Sequence, residues 1–204
     1  MAGPVCAAAV ALPDNFPASL LADSKKLKTQ QREEARRIIV EKASAWGVAW
    51  ASHAEIDAVN ILQASLLAMQ RAFNCLLFPA EEEAAQGWPQ KLETETPFCR
   101  PFPAEIHAEN GFLQGLNVIV DGLHIPALPV PCKAVVKADS SVHEVMAASI
   151  LAKTARDRLM EHYGTLYPQY GYGRHKGYPT AEHRKLVLQF GPSPIQRMTF
   201  AVKQ

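Results

Sequence analysis

Two aspartates in this chain sit where a carboxylate can do chemistry. Each closes a short apolar run: Val-Ile-Val-Asp-Gly ends on Asp121, and Val-Val-Lys-Ala-Asp ends on Asp139. Apolar runs of this length read as buried strands, at Asn117 to Val120 and over the run that ends in Asp139. In α/β proteins, sites form at the C-terminal edge of the sheet. If the two strands end side by side, Asp121 and Asp139 converge. Converging carboxylates repel, and one takes up a proton unless a cation lies between them. Hard oxygen ligands favour Mg²⁺ or Mn²⁺. Taken singly, each aspartate has a simpler job available. Asp121 can open a turn with Gly122, and Asp139 can cap the next helix.

A second tract, YGYGRHKGYPTAEH, interleaves tyrosines with Arg174, His175 and Lys176 and contains Tyr178. Aromatic rings offer stacking surfaces and cations take phosphates, as nucleic-acid binding requires. The alternative is a solvated turn whose tyrosines pack on the sheet. Ser24, Lys25 and Lys26, at a loop tip, form a third group of phosphate-type donors. A Ser-Lys-Lys triplet is common and weak on its own.

The elements that must position these residues can be read in order. The run from Val5 to Leu12, closed by Pro13, is a strand. A signal peptide would need a charged n-region, and the first Lys or Arg is Lys25. A helix is expected from Thr29 to Ala45 with Thr29 as its cap, then a strand from Trp46 to Ser52. A long amphipathic helix follows from Ala54 to Phe73. Its buried face is marked by Ile56, Val59, Leu62, Leu66, Met69 and Phe73. Residues 74 to 116, rich in proline and glutamate, read as a long loop or insertion. After Asp139, a helix begins with capping-box spacing at Ser141 and Glu144. A short helix spans Pro179 to Phe190, and the end is irregular.

Composition is permissive. The 204 residues are 48% hydrophobic and 20% charged, with net charge +1. This suits one soluble domain and leaves any electrostatic footprint to local clusters. The four cysteines, at 6, 75, 99 and 132, have no zinc-ligand spacing and read as free thiols in a reducing compartment. No stretch reaches the roughly 18 apolar residues of a membrane span.

The order of the motifs is more specific than any one of them. MAGPVCAAAVALP, LADSKKLK, EIDAVNILQASLLAMQRA, VIVDG, VVKADS, AASILAKTARDRLM, YGYGRHKGYPTAEH and GPSPIQRMTF follow one another along the chain. This series resembles ribonuclease HII, the type 2 ribonuclease H family, over nearly everything outside 74 to 116. The resemblance implies an α/β ribonuclease H-like fold, a central mixed sheet flanked by helices. It implies endonucleolytic cleavage of the RNA strand of RNA–DNA hybrids and of single ribonucleotides embedded in DNA. In that family four carboxylates hold two Mg²⁺ or Mn²⁺ ions, one activating water and one stabilising the leaving 3′-oxygen, so that a 5′-phosphate remains. Asp121 and Asp139 match two of those ligands. Tyr178 matches the tyrosine beside the ribose at an RNA–DNA junction. Ser24, Lys25 and Lys26 match the loop that grips the backbone, and Arg174 and Lys176 join this surface. The family reads the 2′-OH rather than base identity. A cytoplasmic monomer acting in DNA replication and repair is expected.

The chain also departs from the family. The family's other two carboxylates are an adjacent Asp-Glu in a D-E-A-G-R-G segment just before A-G-P-V. Here A-G-P-V begins at Ala2. The expectation is therefore a reading frame that starts further upstream, and a chain that, as written, lacks its first strand and has little hydrolytic activity. Buried backbone groups left unpaired by such a loss cost about 1–3 kcal/mol each. Glu144 is a conceivable substitute ligand, which its capping-box position argues against. The rival reading is a hybrid-binding protein that does not cleave.

Overall fold

A computed structural model describes residues 1–21, 27–77, 85–107 and 111–200. Strand β1 (Val5–Ala11) pairs antiparallel with β2 (Ala45–Ala51), from Val5 opposite Ala51 to Ala11 opposite Ala45. Two short strands, β3 (Ala85–Gln86) and β4 (Phe98–Arg100), complete this sheet in the order β1-β2-β4-β3. A second sheet has two parallel strands, β5 (Val118–Asp121) and β6 (Cys132–Val135). The architecture is α/β with mixed strand directions.

Both faces of the larger sheet are covered, which is why β1 and β2 are apolar at nearly every position. On one face, helices α1 (Thr29–Lys42) and α5 (His143–Leu166) pack on Trp46, Val48 and Trp50. On the other face lies α2 (His53–Leu77), where small residues meet: Ala7, Ala49 and Ala51 against Ala64, Ala68 and Ala72. This brings helix and strand very close. A Cβ on Gly47 would stand 2.5 Å from the Ala72 carbonyl oxygen, so only glycine fits there.

That close approach corrects the expected face of α2. Ile56 and Phe73 are buried as expected, but Val59 and Leu62 are exposed, and Ala64, Ala68 and Ala72 are buried against the sheet. The helix is broken at Asn60, whose φ of 70° and ψ of 165° leave the helical region. The Asn60 side-chain oxygen accepts from the Leu62 and Gln63 N–H groups, at 3.0 and 3.1 Å, and so caps the second segment. One apolar period cannot run across such a break. The capping box lies at the start of this helix. Ser52 N–H donates to Glu55 and Ser52 Oγ accepts from Glu55 N–H, at 2.8 and 3.1 Å.

Other boundaries shift by a few residues. Helix α1 starts after Lys28, not with Thr29 as cap, and ends at Lys42 because Ala45 already belongs to β2. The stretch expected as a loop carries structure. Helix α2 runs on to Leu77, β4 joins the sheet with Phe98 and Cys99 buried, and short helices α3 (Ala104–His107) and α4 (Phe112–Gly115) lead to β5. Phe98 is held by T-shaped contacts with Trp88 and Trp46. Near the C-terminal end, α6 (Tyr172–His175) packs beside α5, and α7 (Ala181–Phe190) packs on the 3₁₀ turn Pro168–Tyr170. Thr180 caps α7 by accepting from His183 N–H at 3.1 Å.

Candidate functional site

Strands β5 and β6 run parallel in register, Asp121 opposite Val135, so both point the chain toward one end. The expectation that Asp139 closes a strand is corrected. Strand β6 stops at Val135, and Lys137 turns the chain with a left-handed φ of 59°. Asp139 then sits, buried, in a single 3₁₀ turn, Ala138–Ser140. This turn is tied back to β5: the Ala138 N–H donates to Asp121 Oδ1 at 2.9 Å. A non-glycine residue in the left-handed region costs energy that the surrounding contacts must supply.

Asp121 and Asp139 line one cavity of about 660 Å³ between β1 and β5. Glu144 lines it too. The capping box expected at Ser141 and Glu144 is not formed: α5 is capped by Val142, with no side-chain bond. The reason for setting Glu144 aside therefore disappears. These carboxylates are the right kind of donor for a hard cation. In number they fall short. Among the described residues, no three His, Cys, Asp or Glu side chains come together in a way that could hold a metal ion. The described residues do not by themselves make a closed metal site.

The basic and aromatic tract folds as a compact corner. Tyr170 and Tyr172 are buried, so two of its tyrosines pack rather than stack on a ligand. Tyr178 is 51% exposed. Lys153 Nζ and Arg156 Cζ each stand 5.2 Å from the centre of its ring. Arg156 also donates to the carbonyls of Lys176, Pro4 and Ala2, at 2.9, 3.1 and 3.3 Å. Gly177, at φ 75°, lets the chain pass: a Cβ there would meet the Ala2 carbonyl oxygen at 2.5 Å. Lys176, at φ 50°, repeats the left-handed turn seen before Asp139.

Two stacked imidazoles support this corner from inside. His175 and His183 lie 4.3 Å apart at 12°. His175 Nδ1 accepts from Gly177 N–H, so its Nε2–H donates to the Tyr170 carbonyl at 2.8 Å. His183 Nδ1–H donates to the Tyr178 carbonyl at 2.9 Å. Burial holds both rings below the usual histidine range, so they are neutral.

The predicted cations are placed unequally. Arg174 is paired with Glu182, and Lys176 with Glu161 at 2.6 Å. Each therefore meets a phosphate only in competition with an internal carboxylate. Ser24, Lys25 and Lys26 lie outside the described residues. Sequence reasoning passed over Lys153, Arg156 and Arg197. Arg197 is buried and donates to the carbonyls of Gly3 and Pro4 at 2.9 and 3.3 Å. The signal for the first two was available: three residues apart on a helix, Lys153 and Arg156 share a face.

The site is thus a cavity lined by Asp121, Asp139 and Glu144 in an α/β fold, with an aromatic and cationic corner at Tyr178. The profile of the Ribonuclease HII family matches residues 1–82 and 118–203. A ribonuclease HII of Treponema denticola is 47% identical over 100% of this chain and 93% of its own length. Another, of Dechloromonas aromatica, is 42% identical over 98% of this chain and 84% of its own. The chain belongs to the ribonuclease HII family. Two solved structures share the fold. The ribonuclease H2 of Pyrococcus horikoshii superposes with a TM-score of 0.61 at 22% identity, covering 98% of this chain and 88% of that one. The ribonuclease HII in a PCNA complex from Archaeoglobus fulgidus gives 0.60 at 20%, covering 100% and 91%. No described helix is long and apolar enough to cross a membrane.

Proposed function

We propose that this polypeptide serves endonucleolytic cleavage of the RNA strand in RNA–DNA hybrids and at single ribonucleotides in DNA, leaving 5′-phosphate ends. The observation that carries the reading is the convergence of Asp121 and Asp139 on one cavity in a chain of this family. In this reading the two aspartates supply part of a Mg²⁺ or Mn²⁺ site, and Tyr178 packs against the sugar at the junction. Lys153 and Arg156 hold the tyrosine ring in place, and Arg174, Lys176 and the Ser24-Lys25-Lys26 loop take phosphates. Asp121 also fixes the turn that carries Asp139, through the Ala138 N–H. The metal, when bound, supplies charge neutralisation and an activated water. With only two matched ligands, the 204 residues as written give little hydrolysis. The test is a duplex containing one ribonucleotide, incubated with Mg²⁺ or Mn²⁺. Turnover equal to that of the Treponema denticola relative would overturn the expected impairment.

The second reading, hybrid binding without cleavage, is favoured by the intact Tyr178 corner beside an incomplete carboxylate set. Salt-sensitive binding with no product is its signature. A monomer acting in the cytoplasm, in DNA replication and repair, completes the proposal.

A further inference from the structure

Two of the four cysteines meet in the fold. Cys75 is near the end of α2, and Cys99 is the middle residue of β4. In the antiparallel register of β2 and β4, Cys99 stands opposite Gly47. Residues paired in this way turn their side chains to one face, with Cα atoms about 4.5–5.5 Å apart. That face is the one α2 covers, because the neighbours of Gly47, Trp46 and Val48, pack toward α1 and α5. Cys75 lies over the glycine: a Cβ on Gly47 would stand 2.8 Å from the Cys75 Cβ. The missing side chain of Gly47 thus leaves the room in which the two thiols meet. Both cysteines are buried, and the Cys75 S–H donates to the Cys99 sulfur.

The other two cysteines are kept apart from this pair. Cys6 is opposite Trp50, on the far face of the sheet, and Cys132 is in β6 of the second sheet. The pair is also too small for a soft-metal site. Among the described residues, no third His, Cys, Asp or Glu joins it.

We propose that Cys75 and Cys99 form a redox-sensitive latch, in which a peroxide oxidises the two thiols to a disulfide that ties α2 to β4. Cys99 takes the first step, since the thiol of Cys75 hydrogen-bonds its sulfur and favours the thiolate. The thiolate attacks one peroxide oxygen and the O–O bond breaks. The second oxygen leaves as water with the proton that Cys99 gave up, and Cys99 becomes a sulfenic acid. The Cys75 sulfur then attacks the Cys99 sulfur. The S–O bond breaks, and the hydroxyl leaves as water with the Cys75 proton. Each sulfur is oxidised by one electron, and the peroxide is reduced to two waters. Access comes through β4, which pairs over three residues with β2 and over two with β3, and so opens more readily than β1 or β2. Phe73 and Leu76, on either side of Cys75, line the cavity that holds Asp121 and Asp139. The bond therefore fixes one wall of that cavity. The inference stands apart from the nuclease reading.

The test uses the full 204-residue chain, fully reduced and then exposed to hydrogen peroxide, with peptide mapping under non-reducing conditions. The expected product has two fewer free thiols, a crosslink between the peptides that carry Cys75 and Cys99, no link between chains, and full reversal by dithiothreitol. Thermal unfolding should shift upward by about 5–10 °C, the scale for closing such a loop in a chain of this size. Hydrogen exchange in a fragment covering 98–100 should slow by about tenfold. Cys132→Ala should keep the crosslink and the shift, and Cys99→Ala should lose both. Crosslinking through Cys6 or Cys132, a sulfinic acid at Cys99 in place of the bond, thiols that react only after unfolding in urea, or a crosslink without a thermal shift would overturn the proposal. All these readings are made without substrate, so failure of hybrid cleavage or binding leaves them untouched.

Discussion

Around Tyr178 the chain supplies two flanking cations, a glycine that admits the close approach to Ala2, a capped helix and a stacked histidine pair. Around Asp121 the described contacts are fewer: one backbone N–H on the carboxylate, and a cavity lined by β1, β5 and α5. The first region is over-determined by its own residues. The second is held by far fewer contacts of its own. The two regions are therefore held unequally, and variants should separate the roles proposed for them.

The largest effect is expected at Gly177. Alanine there meets the Ala2 oxygen at 2.5 Å and is strained at φ 75°. Stability should fall by about 2–4 kcal/mol in a urea titration, and hybrid binding with it. A loss below about 0.5 kcal/mol would show that the corner is looser than described.

Tyr178→Ala comes next. The ring is half exposed, so stability should change by less than about 1 kcal/mol. Hybrid affinity should drop by about tenfold, the scale of one stacking contact. Asp121→Ala is its counterpart. In chelator it should leave hybrid affinity unchanged, or raise it as a negative charge is lost, and cost about 1 kcal/mol as Ala138 N–H loses its acceptor. Equal loss of binding in both variants would erase the proposed division between the regions.

A smaller effect concerns pH. His175 and His183 titrate below the unfolded value of about 6.5 because burial disfavours their charged forms. Below that pH the unfolded chain binds more protons than the folded one. Their contribution is complete above pH 6.5 and is lost as the pH falls through the range beneath it. Chemical denaturation across that range should show the decline, and His183→Gln should flatten it.

The smallest effect is expected at Glu55. Arg71 binds it at 2.6 Å and holds its carboxyl below the usual range. The pair is partly exposed, so Glu55→Gln should cost no more than about 1 kcal/mol. The contribution should vanish as acid protonates the carboxylate.

Much of this was legible in the sequence. Strands β1, β2 and β5 and helix α7 fall within a residue or two of expectation, because apolar runs and turn residues act locally. The motif order pointed to the family that the relatives share. The buried face of helix α2 was read only in part, at Ile56 and Phe73 but not at its alanines, because alanine carries little hydropathic signal while its small size decides how closely a helix meets a sheet. Strand β4 was hidden for a related reason: its place depends on pairing with β2, far away in the chain.

What the sequence determined by itself was the stock of groups: two carboxylates that follow apolar runs, an aromatic and basic tract, and apolar runs of strand length. Only the tertiary structure decided their use. It moved Asp139 from a strand end into a turn, returned Glu144 to the cleft, and paired Arg174 and Lys176 with internal carboxylates. It also set Lys153 and Arg156 against Tyr178, and brought β1 and β5 to one cavity. Backbone hydrogen bonding in a sheet is satisfied across strands rather than along them, so no local pattern could show which strands come together.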